Sequence, residues 1–147
     1  MNLECLRNQA RQGLLDEVPP SKELGLRLFE SARTRLRDAQ GTANSNETRF
    51  DCAYNAIRAV ADIGLLMHGY RTPTNRPGHH ATAIQNLRNT FGIDDRTLIV
   101  LDGLRKQRHL ADYSGDLVTN AALDQCIEMA RPLLATAEQH LRAKGWL

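Results

Sequence analysis

Residues 50–68 read FDCAYNAIRAVADIGLLMH, and in this stretch Phe50, Ala53, Tyr54, Ile57, Val60, Ala61, Gly64, Leu65 and His68 fall on one stripe. Steps of three and four residues match the 3.6-residue turn of an α-helix, so the run predicts a helix buried over a wide face. Such a helix needs other apolar faces to cover it, and the flanking sequence supplies them.

Upstream, Ser21 is an N-cap candidate for a helix carrying Leu24, Leu28, Ala32 and Leu36 at steps of four, with Leu26 and Phe29 beside them. That helix is expected to end near Gly41, and GTANSNET (41–48) reads as a polar turn. Before it, Leu3, Leu6, Ala10 and Leu14 give a short helical run that stops at the prolines of VPPS, so residues 1–20 read as an N-terminal arm docked on a body formed by residues 21–147.

Downstream, GYRTPTNRPGHH (69–80) reads as a loop, with Pro77 placed to open a short helix through Ala81, Ile84, Leu87, Arg88 and Phe91. Asp94 or Asp95 can cap a further helix with Leu98, Leu101, Leu104 and Arg108 inward, ended by Ser114 and Gly115. The last helix, near Asn120 to Lys144, aligns Leu123, Cys126, Ile127, Ala130, Leu134, Ala137 and Leu141, with Pro132 expected to bend it. No segment alternates with the period of a strand. The expected fold is all-α, an antiparallel up-and-down helical bundle of four to five helices.

A chain of 147 residues with 41% hydrophobic and 24% charged residues fits one globular domain. A net charge of +2 is too small to argue for nucleic acid by itself. Cys5, Cys52 and Cys126 are odd in number and far apart, against a disulfide framework or a zinc site built on paired cysteines. The beginning of the chain lacks the pattern of a secretory leader, and no apolar run is long enough to cross a bilayer. The expectation is a soluble cytoplasmic protein with reduced thiols.

Chemistry concentrates in LRKQRHLADYSGD (104–116), where Arg105, Arg108, His109, Asp112 and Tyr113 crowd a helix end. Arg108 follows the inner face, and Asp112 is one turn on, so an i,i+4 ion pair is available. One reading is a half-buried clamp between helices. The other is a cleft in which these residues take a phosphate or a base, the guanidinium holding phosphate and His or Tyr stacking. A second polar group, Arg71, Arg76, His79 and His80 in the loop, can approach a phosphate or a partner protein, against the plainer reading of a solvated loop.

Neighbouring His79 and His80 point apart on a helix, unlike an i,i+4 zinc pair, so no metal is expected, and no cofactor. His68 and His140 read as satisfied core histidines, Ser114–Gly115 as a helix stop, and Trp146 as an anchor for the C-terminus or for a dimer contact.

The segment RHLADY at a helix end resembles the HEPN (higher eukaryotes and prokaryotes nucleotide-binding) domain family, in its branch with Arg followed by Ala-Asp-Tyr. YNAIRAVADIGLLMHGYR is similar to that family's second helix, and RPGHHATAIQNL to the following loop and short helix. In element order the resemblance spans roughly residues 22–143. It implies a helical bundle that dimerises and works with nucleotides, RNA or a separately encoded partner, such as a nucleotidyltransferase or the other half of a toxin–antitoxin pair.

Many members are metal-independent ribonucleases whose motif is Arg, four to six residues, then His. Arg108 is the equivalent Arg, but Tyr113 stands near the expected His, and Arg105 is followed by His109 after only three residues. A His passes protons at neutral pH, whereas a Tyr hydroxyl, with a pKa of about 10, stays protonated. The expectation is therefore a binding module with no catalytic residue. The alternative is a ribonuclease toxin with a degenerate motif around Arg108, in which His109, His79 or His80 replaces the missing base.

Overall fold

The computed structural model describes residues 2–147. Four long helices carry the fold: α2 (Lys22–Gln40), α3 (Asn46–Met67), α6 (Asp95–Ser114) and α7 (Asn120–Ala143). Three short ones, α1 (Leu3–Arg11), α4 (His79–Gln85) and α5 (Leu87–Phe91), and a two-strand ladder, β1 (Asp16–Glu17) with β2 (Tyr70–Arg71), complete it. The protein is an all-α helical bundle.

Each long helix starts on a side-chain cap. Ser21, Ser45, Asp94 and Thr119 accept from the backbone N–H of Leu24, Thr48, Thr97 and Ala122 respectively. A cap of this kind contributes about 1 kcal/mol. Asp94 is thus the cap of α6, and Asp95 lies in its first turn.

The 50–68 stretch is the central helix. α3 packs against α2 and α7, and also against α4, α5 and α6. Its stripe is buried from Phe50 to Leu65, and Ala56, Ala59, Ile63, Leu66 and Met67 are buried too, because it has neighbours on several sides. Gly64 permits one of these contacts: a Cβ there would stand 2.5 Å from Thr90 Oγ1.

The core row of α2 differs from expectation. Gly25, Phe29, Ala32, Leu36 and Ala39 are buried, while Leu24 is exposed and Leu28 only half-buried. The ring of Trp146 explains the rotation, for it lies against Gly25, where a Cβ would come within 2.7 Å of the ring. Trp146 anchors the C-terminus on α2.

The 81–91 segment is two helices, broken at Asn86, and it begins after Gly78 rather than at Pro77. Gly78 is the N-cap residue with φ +78, a left-handed conformation natural to glycine. Buried Asn86 bonds back to the carbonyl of Thr82 and across to Gln9 of α1, at 3.0 and 2.8 Å. That pairing and the bond from Asn2 N–H to Asn89 O dock the arm, whose Leu6 and Leu15 enter the core.

The β1–β2 ladder pairs Asp16 with Arg71 and Glu17 with Tyr70, a strand pairing absent from the sequence reading. Two residues are too few for alternation to register. α7 continues through Pro132, which sits at an exposed position. Leu133 rather than Leu134 is the fully buried residue after it.

Candidate functional site

Leu98, Leu101 and Leu104 seat α6 on the core, and Arg108 continues their face one turn later, half-buried. Its Nε donates to Asp51 Oδ1 of α3 at 3.2 Å, and its guanidinium carbon lies 5.1 Å above the centre of the Tyr54 ring. Asp112 stands 4.0 Å away, at the edge of ion-pair range. The clamp therefore runs between helices, from Arg108 to Asp51. The i,i+4 partner is secondary, since Asp51 reaches the guanidinium more closely from across the packed interface.

Arg105 and Lys106 both hold Asp102, at 3.0 and 3.2 Å. Burial alone would raise the Asp102 carboxyl, but hydrogen bonds from Arg105 and Lys106 outweigh it and hold the group below the ordinary carboxylate range. On the outer side, the rings of His109 and Tyr113 lie 4.4 Å apart at 33°, and Tyr113 is 79% exposed. Being four residues apart, they share one helix face.

α4 brings in His80. Its Nε2 lies 2.5 Å from Arg58 Nη1, and Arg58 also reaches Asp62 at 3.6 Å. Burial first, then the positive charge of Arg58, with smaller effects of His79, Arg108 and Arg105, lowers the His80 pKa to about 4. The imidazole is neutral at physiological pH and accepts from the guanidinium. Burial raises the Asp62 carboxyl, against the opposing pull of Arg58.

Tyr54 lies beneath this group. Burial pushes the pKa of its hydroxyl up, while Arg58, Arg108 and Arg105 pull it down. Three guanidiniums from two helices thus act on both Tyr54 and His80. Within the cluster, Tyr54 Oη and Arg58 Nε are buried and have no hydrogen-bond partner.

The rest of the 69–80 loop goes elsewhere. Arg71 faces Asp16 at 3.8 Å, the Arg76 guanidinium lies beside Gly13, and His79 Nδ1 pairs with the carbonyl of Arg76 at 3.1 Å. His79 meets His80 edge-on at 4.4 Å. Of the four loop residues, His80 meets Arg58 of α3, while Arg71 and Arg76 turn toward the N-terminal arm.

Tyr54, on the apolar stripe, read only as core, and Asp51 and Arg58 are site residues that periodicity did not reveal. Their signal was the charge in a core helix: Asp51, Arg58 and Asp62, spaced by seven and four residues, put polar groups along one side of α3.

His68 caps the end of α3, where burial lowers its pKa, and His140 Nδ1 pairs with Thr136 O at 2.9 Å. The three cysteines are free, and burial pushes the Cys126 thiol up to about 12. An open groove of about 1080 Å³ runs beside the site, with Gln9, Asn86, Asn89, Asp102 and Lys106 in its walls. Among the described residues no helix is long and apolar enough to cross a membrane.

Compared with known proteins, the chain matches no family model and no curated sequence.

Proposed function

We propose that the protein is a non-catalytic, HEPN-like binding module that takes a nucleotide or a single-stranded RNA segment on the C-terminal half of α6. The observation that carries this reading is the outward His109–Tyr113 ring pair, 4.4 Å apart, beside Arg105 and the Arg108 clamp. Unstacked bases bind on aromatic faces, and guanidiniums supply the phosphate contacts. Two aromatic rings left in water next to arginines suit that task. A half-buried Arg108 suits it less as a mobile finger than as a positioned donor.

The geometry favours binding over catalysis. Tyr113 brings a phenol where the motif has an imidazole, and His80, lowered to about 4, is a weak base whose Nε2 is already taken by Arg58. The rival ribonuclease reading then rests on His109 or His79 as its proton carrier.

A homodimer fits the same helix. Ile99 and Leu110 are exposed apolar residues on one face of α6, with Gly103 between them. Arg96 near one end and Asp116 beyond the other give an antiparallel second copy complementary charges. The separately encoded nucleotidyltransferase or toxin–antitoxin partner follows from the resemblance, and a cytoplasmic setting from the unpaired cysteines.

Fluorescence anisotropy with a labelled single-stranded RNA tests the binding. Wild-type protein should bind, and Tyr113→Ala and Arg105→Ala should weaken it by roughly tenfold each, as a base stack or charged hydrogen bond contributes about 1–3 kcal/mol. Unchanged affinity in both variants contradicts the assignment. Light scattering after gel filtration tests the dimer, which Leu110→Glu should convert to monomer.

A further inference from the structure

We propose that Tyr54 Oη, Arg58 and Arg108 form a seat for one tetrahedral phosphate group, and that His80 occupies that seat when the phosphate is absent. Nothing in the outer aromatic pair requires such a seat. The proposal deepens the binding reading, resting on it for the surface around the seat, but inorganic phosphate reads the seat out without RNA.

The two unpartnered groups identify the ligand chemistry. Tyr54 is 1% exposed, and its hydroxyl and Arg58 Nε–H are donors buried without an acceptor. Leaving a buried donor unmade is costly, so two together mark a place where an acceptor belongs. A ligand made only of acceptors answers both. Arg58 from α3 and Arg108 from α6 stand beside Tyr54, the latter 5.1 Å above its ring; carboxylates already face both, Asp62 at 3.6 Å and Asp51 and Asp112 at 3.2 and 4.0 Å, so the unfilled donors more than net charge select the ligand.

The surrounding carboxylates hold the guanidiniums without filling the seat. Asp51 takes Arg108 at 3.2 Å, Asp62 takes Arg58 at 3.6 Å, and Asp102 takes Arg105 at 3.0 Å. Each occupies part of its arginine's fork and fixes its direction, and Arg58 Nε–H is left without an acceptor. A carboxylate brings two oxygens in one plane. Donors arriving from two helices and from a phenol suit the four oxygens of a phosphate instead.

His80 is the placeholder. Its Nε2 accepts from Arg58 Nη1 at 2.5 Å, the role a phosphate oxygen would take. It is the second residue of α4, after Gly78, which has φ +78 and nothing within 4 Å of where a Cβ would stand. Phosphate entry then displaces one neutral imidazole.

Titration calorimetry of the full chain with inorganic phosphate, at constant ionic strength, tests the seat, with a nucleoside 5′-monophosphate as a second arm. Wild-type protein should bind phosphate, and His80→Ala should bind it several-fold more tightly. Tyr54→Phe should lose about tenfold in affinity with the melting temperature unchanged or raised, since it removes an unpaired buried hydroxyl. Should Tyr54→Phe fail to fold, Arg58→Lys, which keeps the charge but lacks the Nε donor, should show the same loss. A nucleotide bound more tightly than phosphate assigns the seat to a nucleotide's phosphate, and equal affinity assigns it to the free ion. No phosphate binding by wild type and His80→Ala, or full affinity in Tyr54→Phe or Arg58→Lys, overturns the proposal. RNA binding without phosphate binding sinks the seat alone, and phosphate binding without RNA binding sinks the RNA surface alone.

Discussion

Arg108 Nε and Asp51 Oδ1 lie 3.2 Å apart and tie the C-terminal half of α6 to the central helix α3, while Asp112 waits at 4.0 Å on Arg108's own helix. Asp51 is 45% exposed, so solvent screens the pair. A double-mutant cycle on Arg108→Ala and Asp51→Ala, followed by urea denaturation, should give a coupling of roughly 0.5–1 kcal/mol. The same cycle with Asp112→Ala should give a smaller value. A larger coupling to Asp112 would contradict the placement of the clamp.

Gly64 lets α5 pack tightly on α3. A methyl group there would stand 2.5 Å from Thr90 Oγ1 and 2.9 Å from Thr90 Cβ, both buried, so Gly64→Ala should cost about 1–3 kcal/mol in stability despite alanine's higher helix propensity. Thermal denaturation checks it. Gly64→Ala combined with Thr90→Ser, which removes the methyl but keeps the hydroxyl, should recover only part of the loss.

The single tryptophan reports on the C-terminus. Trp146 rests against Gly25, where a Cβ would approach its ring to 2.7 Å. Gly25→Ala should push the ring outward and shift its fluorescence to longer wavelength, with little change in helix content by circular dichroism. An unmoved emission maximum would show that the ring is not seated there.

The shifted histidine sets a pH dependence. His80 is neutral in the folded protein down to about pH 4, whereas in the unfolded chain it takes a proton near pH 6.5, so the unfolded state binds more protons between these values. Its contribution to stability is fully present above pH 6.5 and is lost as pH falls toward 4. His68, also lowered by burial, acts in the same direction. Asp62, raised by burial, acts in the opposite direction, favouring the folded state as it gains its proton at lower pH. His80→Gln should flatten the fall in melting temperature between pH 6.5 and 4. An unaltered slope would remove His80 from the buried cluster.

The helices were legible because apolar residues repeat at three and four: Phe50 to Leu65 in α3, Leu98 to Leu104 in α6, Leu123 to Leu141 in α7. Periodicity finds a face and misplaces its centre when an unusual neighbour intervenes. In α2 the neighbour is Trp146, which lies over Gly25 and leaves Leu24 exposed. The α4–α5 break was illegible because Asn86 is held by Gln9, 77 residues away. Half of the site could be read from spacing along α6, since Arg108, Asp112, His109 and Tyr113 share one helix. Asp51, Tyr54 and Arg58 could not, because only the docking of α6 and α4 on α3 brings them to the arginines.

The most direct test of a binding site without catalysis is one incubation of end-labelled single-stranded RNA with the protein in a chelator, split between a native and a denaturing gel. The account predicts a shifted band on the native gel, lost in Tyr113→Ala, and intact RNA on the denaturing gel. RNA cut by the metal-free protein, with cutting abolished in Arg108→Ala at an unchanged melting temperature, would contradict it.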